Sequence, residues 1–535
     1  MEFIADMGIS KSTIIRNMTS SLDLNPQFLH ALHIMERTNQ NAFITGKAGT
    51  GKSTLLQHFR NTTKKNIAVL APTGVAAVNV KGQTIHSFFG FKPDITPDIV
   101  KKIKPIDETI YKRLDAIVID EISMVRADLL DCINVFLRLH GKKKSLPFGG
   151  VQMIFIGDLY QLPPVVTYRE KHLFAGRYRS PYFFDAGVME AELKMEFIEL
   201  EKVYRQKDER FLRILNAIRN NTASDVDRAD INSRYLPDFK EDADDFFISL
   251  TTTNDLASAI NNERLSMING EQYTYHGSLK GDFEIKSLPT SVEISLKTGA
   301  QVMLLNNDYM GRWINGSIGS IAGIEKNREG EPDIIWVELD DGETVDVLPY
   351  KWEMHEFHYD KKSGTVVSDV VGTFTQYPLK LAWAVTIHKS QGMTFDRVII
   401  DIGRGTFSHG QLYVALSRCT SLEGIVLKKP IAKKHILMDR RVLDFVTKYQ
   451  YKQAEKNLPV DEKISIIQKA IKDKKPLEII YLKTKDEKSR RAIMPLFVGE
   501  LEYNGRKFIG VQAFCNERKD NRVFHIERIL EISSV

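Results

Sequence analysis

The stretch Gly46-Lys47-Ala48-Gly49-Thr50-Gly51-Lys52-Ser53 matches the phosphate-loop pattern G-x-x-x-x-G-K-[ST] at every fixed position. Its flanks agree with it. Asn41-Ala42-Phe43-Ile44-Thr45 reads as a short apolar strand, and Ser53 to Phe59 as the helix that follows. Glycines let the backbone turn tightly and aim N–H groups at phosphate oxygens, and the helix start adds the positive end of its dipole. In this pattern Lys52 reaches the β- and γ-phosphates and the Ser53 hydroxyl ligates Mg2+. The competing reading is a Gly-rich turn that binds nothing. The full match, with both flanks correct, weighs against it.

Outward from the loop, three apolar runs each end in polar residues. Ile67-Ala68-Val69-Leu70 runs into Ala71-Pro72-Thr73-Gly74, with Thr84-Ile85-His86 soon after. Leu114 to Ile119 ends in Asp120-Glu121, and Val151 to Ile156 ends in Gly157-Asp158-Leu159-Tyr160-Gln161. Ligands of parallel α/β sheets sit outside the carboxyl ends of the strands, so these tips are placed to meet something. Asp120 is the expected Mg2+-shell carboxylate, and Glu121 the group that orients or deprotonates the attacking water. Gln161 is placed to sense the γ-phosphate. Upstream, Asn25-Pro26 suits a helix start, followed by Gln27. An amide can pair with the Hoogsteen edge of adenine, and a plain surface glutamine fits Gln27 equally well.

A second α/β pattern begins near Phe246 to Leu250, whose tip is Thr251-Thr252-Thr253-Asn254. It has no phosphate loop of its own, so it is expected to complete the first domain's nucleotide site from the far side. Val302 to about Thr373 has β texture, with hairpin turns at Asn315-Gly316 and Asp341-Gly342. Leu379 to Thr386 reads as one apolar strand. Ile387-His388-Lys389-Ser390-Gln391-Gly392 follows, then the helix Gln411 to Arg418. Arg205 and Arg418 are candidates to neutralise charge on the transferring phosphoryl group. Tyr168 to Phe184 interleaves rings with cations. That mixture suits single-stranded nucleic acid, and it suits a surface hairpin with its own aromatic cluster just as well.

The chain has 535 residues, too many for one core, and three or four domains are expected. No apolar run approaches a membrane span, and no charged-then-apolar signal pattern stands at the start. Cys132, Cys419 and Cys515 are few, odd in number and far apart, which argues against a disulfide framework or a cysteine zinc site and for a reducing cytoplasm. The net charge of +5 is unevenly spread. Residues 425–535 carry 25 Lys and Arg against 15 Asp and Glu, so the rest of the chain is net acidic. The tail reads either as a polyanion-facing module or as a lysine-rich solvated surface.

Taken in order, Thr45 to Ser53, Ala71 to Ala77, Val118 to Ser123, Gly157 to Pro164, Tyr204-Arg205-Gln206, Thr386 to Thr394 and Gln411 to Thr420 resemble the motif set of superfamily-one helicases. Within the 5′-to-3′ branch the chain is similar to the Pif (PIF-one) family. Asp208-Glu209-Arg210-Phe211-Leu212 through Ile218-Arg219 resembles that group's helical signature, and the likeness covers about Leu24 to Gly424. It implies an α/β fold of two RecA-like P-loop NTPase domains. The first covers 24–164 and 185–203, with a wedge insertion at 165–184. The second covers 204–302 and 374–454, with an SH3-like insertion at 303–373.

The resemblance also implies ATP with Mg2+. Gln27, Gly46, Ala48, Gly49, Thr50, Gly51, Lys52, Ser53, Thr54 and Gly392 would bind the nucleotide. Lys52, Asp120, Glu121, Gln161, Arg205 and Arg418 would act on it, with Ser53 and Asp120 on the metal. Pro72, Thr73, Thr84, His86, His388 and Lys389 would touch DNA. The implied partners are single-stranded DNA, forked duplex and G-quadruplex DNA, bound by a monomer working in genome maintenance. Residues 1–23 would be an arm and 455–463 a linker. Residues 464–535 resemble a WYL domain, although Ile509-Gly510-Val511 stands where the naming triplet is expected. Arg491, Arg518, Arg522 and Arg528 are its expected anion contacts. Two other readings stay open: an ATPase that grips single strands without separating them, and a phosphate-loop enzyme acting on small molecules.

Overall fold

The computed structural model describes residues 25–534 apart from 93, 106, 167–173, 175, 192, 207, 241–244, 329, 403–407, 484–485 and 504. The expected arm and Tyr168, Arg169, Lys171 and His172 lie outside the described residues. The first lobe opens with helix α1 (Pro26–Arg37), capped as expected by Asn25, whose side chain accepts from Phe28 N. Its sheet contains β1 (Asn41–Gly46), β2 (Ile67–Ala71), β3 (Gln83–Thr84), β4 (Ala116–Ile119), β5 (Gln152–Ile156) and β6 (Met195–Leu200). All six are parallel, in the order β3-β2-β4-β5-β1-β6. Near-continuous Val, Ile, Leu and Phe runs suit strands buried on both faces. Helix α2 (Lys52–Thr62) covers one face with Leu55, Leu56 and Phe59.

The second lobe is a smaller parallel sheet of β7 (Ile248–Thr251), β8 (Ala384–Thr386), β9 (Val398–Ile400) and β10 (Ile425–Leu427), ordered β8-β7-β9-β10. Helix α3 (Glu209–Arg219) packs on α4 (Gln411–Leu416) of this lobe. Between β7 and β8 lie antiparallel sheets. The expected single strand Leu379–Thr386 is in fact two. Leu379–Leu381 joins a five-stranded antiparallel sheet, while Ala384–Thr386 joins the second lobe. Gln301 stitches the break: its amide donates to Phe247 O and Ala382 O.

One element went unread in the sequence. Tyr350–Asp360 and Thr365–Gln376 form a long hairpin that leaves the second lobe and lies on the first. There Phe357 N donates to Gln83, Val366 N donates to Asn66, and the Phe357 ring meets Phe88 edge-on. Helix α5 (Arg440–Asn457) also lies against the first lobe, although the sequence grouped most of it with the second. Phe445 stacks on Phe184 at 4.3 Å, and Tyr449 stacks on Phe197.

The segment 455–463 holds the end of α5 and the start of α6 (Val460–Asp473), with Leu458-Pro459 between them. The chain closes on an antiparallel sheet of β11 (Leu477–Leu482), β12 (Lys488–Tyr503), β13 (Arg506–Cys515), β14 (Asp520–His525) and β15 (Ile529–Ser534), ordered β14-β13-β12-β11-β15.

The described rings of the 165–184 stretch are packed, not presented. Phe174 and Tyr182 are buried, Tyr178 donates to Asp131, and Tyr182 stacks on Phe184. Among the described residues, this segment is therefore an aromatic cluster on the first lobe rather than a set of stacking platforms for bases.

Candidate nucleotide and nucleic-acid site

The phosphate loop leaves the end of β1 and enters α2 through Gly49 and Gly51, both at positive φ (+78° and +85°). Ser53 and Thr54 stand in the first turn of α2. Thr50 donates to Lys47 O across the loop. Lys52 turns its ammonium onto the loop's own carbonyls, Gly46 O at 2.8 Å and Lys47 O at 3.0 Å. Burial pulls the Lys52 ammonium below its ordinary value, against the pull of Asp158, Glu121 and Asp120.

Asp120 and Glu121 follow β4. Glu121 sits in the left-handed region at φ +49°, which for a non-glycine residue stores strain of about 1–3 kcal/mol. Its N–H donates to Asp120 Oδ1 at 3.0 Å. Burial lifts the Asp120 carboxyl, and burial together with Asp120 lifts Glu121 to about 7. Two adjacent half-buried carboxyls near one lysine leave an excess of negative charge that a divalent cation would relieve. Among the described residues, no cluster of three or more His, Cys, Asp or Glu could hold a metal by itself. One hydroxyl and one carboxylate beside the phosphate loop are a hard oxygen donor set that fits Mg2+, which takes few protein ligands and completes its shell with water and phosphate. Ser53 and Asp120 are the oxygens that would hold it.

The second lobe closes over this loop. Ala48 N donates to the Tyr413 hydroxyl at 3.1 Å. Tyr204 N donates to Gly49 O at 2.8 Å, and a Cβ added at Gly49 would lie 2.5 Å from Arg205 Cβ. Arg205 donates to Ser417 O and Gly392 O, both at 3.2 Å. Arg418, 1% exposed, donates to Val414 O, Ser390 O, Met393 O and Ser417 Oγ. Burial and neighbouring Arg205 push its guanidinium down to about 9. Gln161 accepts from Gln391 of the second lobe at 3.3 Å and donates to Asp158. Gln27 donates to Glu201 at 3.2 Å, and Asn25 donates to the Tyr204 hydroxyl at 3.2 Å. Tyr204 and Phe28 ring atoms lie 3.8 and 4.0 Å from where a Gly51 side chain would begin. The sequence reading passed over Tyr413 and Tyr204 as contacts of the loop, because no local pattern marks a tyrosine that meets a turn far away in the chain.

Four expected DNA contacts line one cleft of about 510 Å³: Pro72, Thr73, Thr84 and His86, facing Glu284 and Ser287. Both threonines also cap short helices, Thr73 accepting from Ala76 N and Thr84 from Ser87 N. Lys389 lines a second cavity of about 360 Å³ together with Lys380, which the sequence reading missed. Burial and Lys389 push the Lys380 ammonium down to about 8. His388 does not line either of these two clefts. Burial lowers both His86 and His388, so each offers a neutral imidazole at pH 7.

Known proteins are similar in sequence and in fold. A family model described as PIF1-like helicase matches residues 27–229, one described as UvrD-like helicase C-terminal domain matches 381–422, and one described as WYL domain matches 462–534. The ATP-dependent DNA helicase Pif1 of Bdellovibrio bacteriovorus is 33% identical over 447 residues, which cover 81% of this chain and 93% of that protein. Crystal structures of Pif1 from Bacteroides sp. are similar too. The complex with ADP-AlF4 superposes with a TM-score of 0.72 at 34% identity, covering 81% of this chain and 98% of that one. The ssDNA-bound form has a TM-score of 0.56 at the same identity and coverage. A phosphate loop closed over by arginines from a second parallel lobe, with kinship along four-fifths of the chain, makes this protein a member of the PIF1-like helicase family.

Proposed function

We propose that the protein is an ATP-dependent DNA helicase that moves 5′-to-3′ along single-stranded DNA and separates duplex, with Mg2+ as the nucleotide's metal. One observation carries this reading. Among the described residues, Lys52 lies in the phosphate loop, Arg205 packs against Gly49 of that loop, Arg418 shares Ser417 with Arg205, and none has a carboxylate within ion-pair distance. Arg418 is buried and Lys52 and Arg205 are half-buried, and cations withdrawn from water without counter-ions are costly unless an anion is meant to arrive. A triphosphate is the anion this loop is shaped for. Bound metal would neutralise charge on the phosphates. The attacking water's oxygen bonds to γ-phosphorus and gives a proton to Glu121, the bond from the β–γ bridging oxygen to γ-phosphorus breaks, and ADP and phosphate leave.

Because the loop lies in one lobe and both arginines grip carbonyls of the other, the presence of the γ-phosphate biases how the lobes meet. The DNA path in this reading runs over both lobes, from Pro72, Thr73, Thr84 and His86 to His388 and Lys389, with Lys380 adding a cation. Polarity is tested with 5′-tailed and 3′-tailed duplexes side by side. ATP-dependent release of only the 5′-tailed strand is expected. Binding without release favours the strand-gripping ATPase, and hydrolysis indifferent to DNA favours a small-molecule enzyme. The same assay with folded guanine quadruplexes, and sedimentation of the free protein, test the quadruplex substrate and the monomer.

A pH dependence follows from Glu121. Its carboxyl, raised to about 7, must be ionised to accept a proton, so hydrolysis at saturating ATP should rise several-fold from about pH 6 to pH 8. Glu121→Gln should be nearly inactive and should lose that rise. An unchanged profile in the variant assigns the titration elsewhere.

A further inference from the structure

In the C-terminal domain Asp486, two residues before β12, turns away from its own sheet and meets the motor between the two lobes. Asp486 is 6% exposed and sits at φ +53°. Its Oδ2 accepts from the Tyr160 hydroxyl at 2.5 Å, on the strand-tip segment that also carries Asp158 and Gln161. Its backbone oxygen accepts from Asn220 Nδ2 at 3.0 Å, just past the end of α3. Its carboxylate lies 3.8 Å from Arg219, the last residue of α3. Arg219 is itself buried, 3.7 Å above the Tyr160 ring and 3.4 Å from Asp158. Two residues on, Lys488 bridges Glu199 at 2.9 Å and Glu201 at 2.7 Å, at the edge of the first lobe.

A continuous polar chain thus runs from the tail into the cleft. Asp486 meets Tyr160 and Arg219, Arg219 meets Asp158, Asp158 accepts from Gln161, and Gln161 accepts from Gln391 next to Gly392. Arg219 would otherwise be a fully buried cation balanced by Asp158 alone, and the tail supplies its second carboxylate. Among the described residues, Arg219 Nε and Asp486 Oδ1 are left without partners, so the network holds through the Tyr160 hydroxyl, the Asn220 amide and the Arg219–Asp158 contact and loosens when one of these is removed.

We infer that the C-terminal domain is a working part of the ATPase, with Asp486 a positioning residue that acts through Tyr160, Arg219 and Asp158 to hold Gln161 at the phosphate end of the cleft. This rests on the reading of the cleft as an ATP-hydrolysing site.

The test uses the full chain and measures DNA-stimulated ATP hydrolysis, with single-strand affinity measured in parallel. Wild-type hydrolysis is the control: if it is absent, the functional reading fails before the inference is reached. Asp486→Ala is expected to lower kcat about tenfold, to change KM for ATP less than about twofold, and to leave single-strand affinity intact. Tyr160→Phe should lower kcat similarly, and the double variant should be no worse than the poorer single one, since both break the same link. Asp486→Asn, which keeps the shape and an oxygen for Tyr160, should recover part of the loss. It carries the test if the alanine variant melts below the assay temperature. Wild-type kcat in Asp486→Ala, or strictly additive losses with Tyr160→Phe, would overturn the proposal and leave the tail as a docked passenger.

Discussion

Lys52→Ala should lower kcat for ATP hydrolysis by roughly 10²–10³-fold and abolish strand release, while single-strand binding stays within about twofold. The size follows from where the ammonium sits. It is half-buried, depressed by desolvation, and held at 2.8 and 3.0 Å by carbonyls of its own loop, with no carboxylate in ion-pair contact among the described residues. A cation kept in that condition gains most when phosphate charge arrives, and more as charge builds in the transition state. The variant removes this gain. It also removes a partly desolvated charge, so the fold should not suffer, and thermal melting should be unchanged or slightly raised. The expected DNA contacts lie elsewhere, in the cleft of Pro72 and His86 and on the second lobe, which is why grip should survive. Parallel ATPase and filter-binding titrations check both halves. Loss of DNA binding equal to the loss of hydrolysis would mean that the two sites are not separable as drawn.

The sequence made the first lobe legible because its information is local there. A glycine pattern, four apolar runs and the polar residues at their tips identify a parallel sheet with its chemistry on one rim, and Lys52, Ser53, Asp120, Glu121 and Gln161 stand on that rim. Arg205 and Arg418 were legible as candidates through motif order; the structure sets Arg205 against Gly49 of the loop, and Arg418 beside it on Ser417 and Ser390 of the second lobe.

What stayed hidden depends on pairs far apart in the chain. Tyr413 meets Ala48 across 365 positions, and Asp486 meets Tyr160 across 326. No periodicity records such meetings. The 350–376 hairpin was obscured for a related reason. Alternation announces strands, but it does not say that the hairpin leaves its own sheet to lie on Gln83 and Asn66. Residues 379–386 misled because an apolar run reads the same whether it serves one sheet or two, and only Gln301 at the joint reveals the division.

The second large effect concerns the arginines from the far lobe, and here the two should differ. Arg205→Ala is expected to lower kcat by about 10³-fold with little change in nucleotide affinity, as for a cation that acts mainly on transition-state charge. Its side chain is only partly enclosed and donates to two carbonyls, Ser417 O and Gly392 O, so melting should move little. Arg418→Ala should lose a comparable factor in kcat and destabilise the fold as well. Its guanidinium satisfies Val414 O, Ser390 O, Met393 O and the Ser417 hydroxyl, and each buried acceptor left bare costs about 1–3 kcal/mol.

Arg418→Lys separates the two roles. A lysine keeps the charge but cannot reproduce the planar fork that spans those acceptors. Stability should therefore fall almost as far as in the alanine variant, while hydrolysis at a permissive temperature recovers by more than it does in Arg205→Lys. If Arg205→Ala hydrolyses ATP at the wild-type rate, the closure seen here does not carry the chemistry, and the charge on the leaving phosphate is met by Lys52 and Arg418 without help from Arg205.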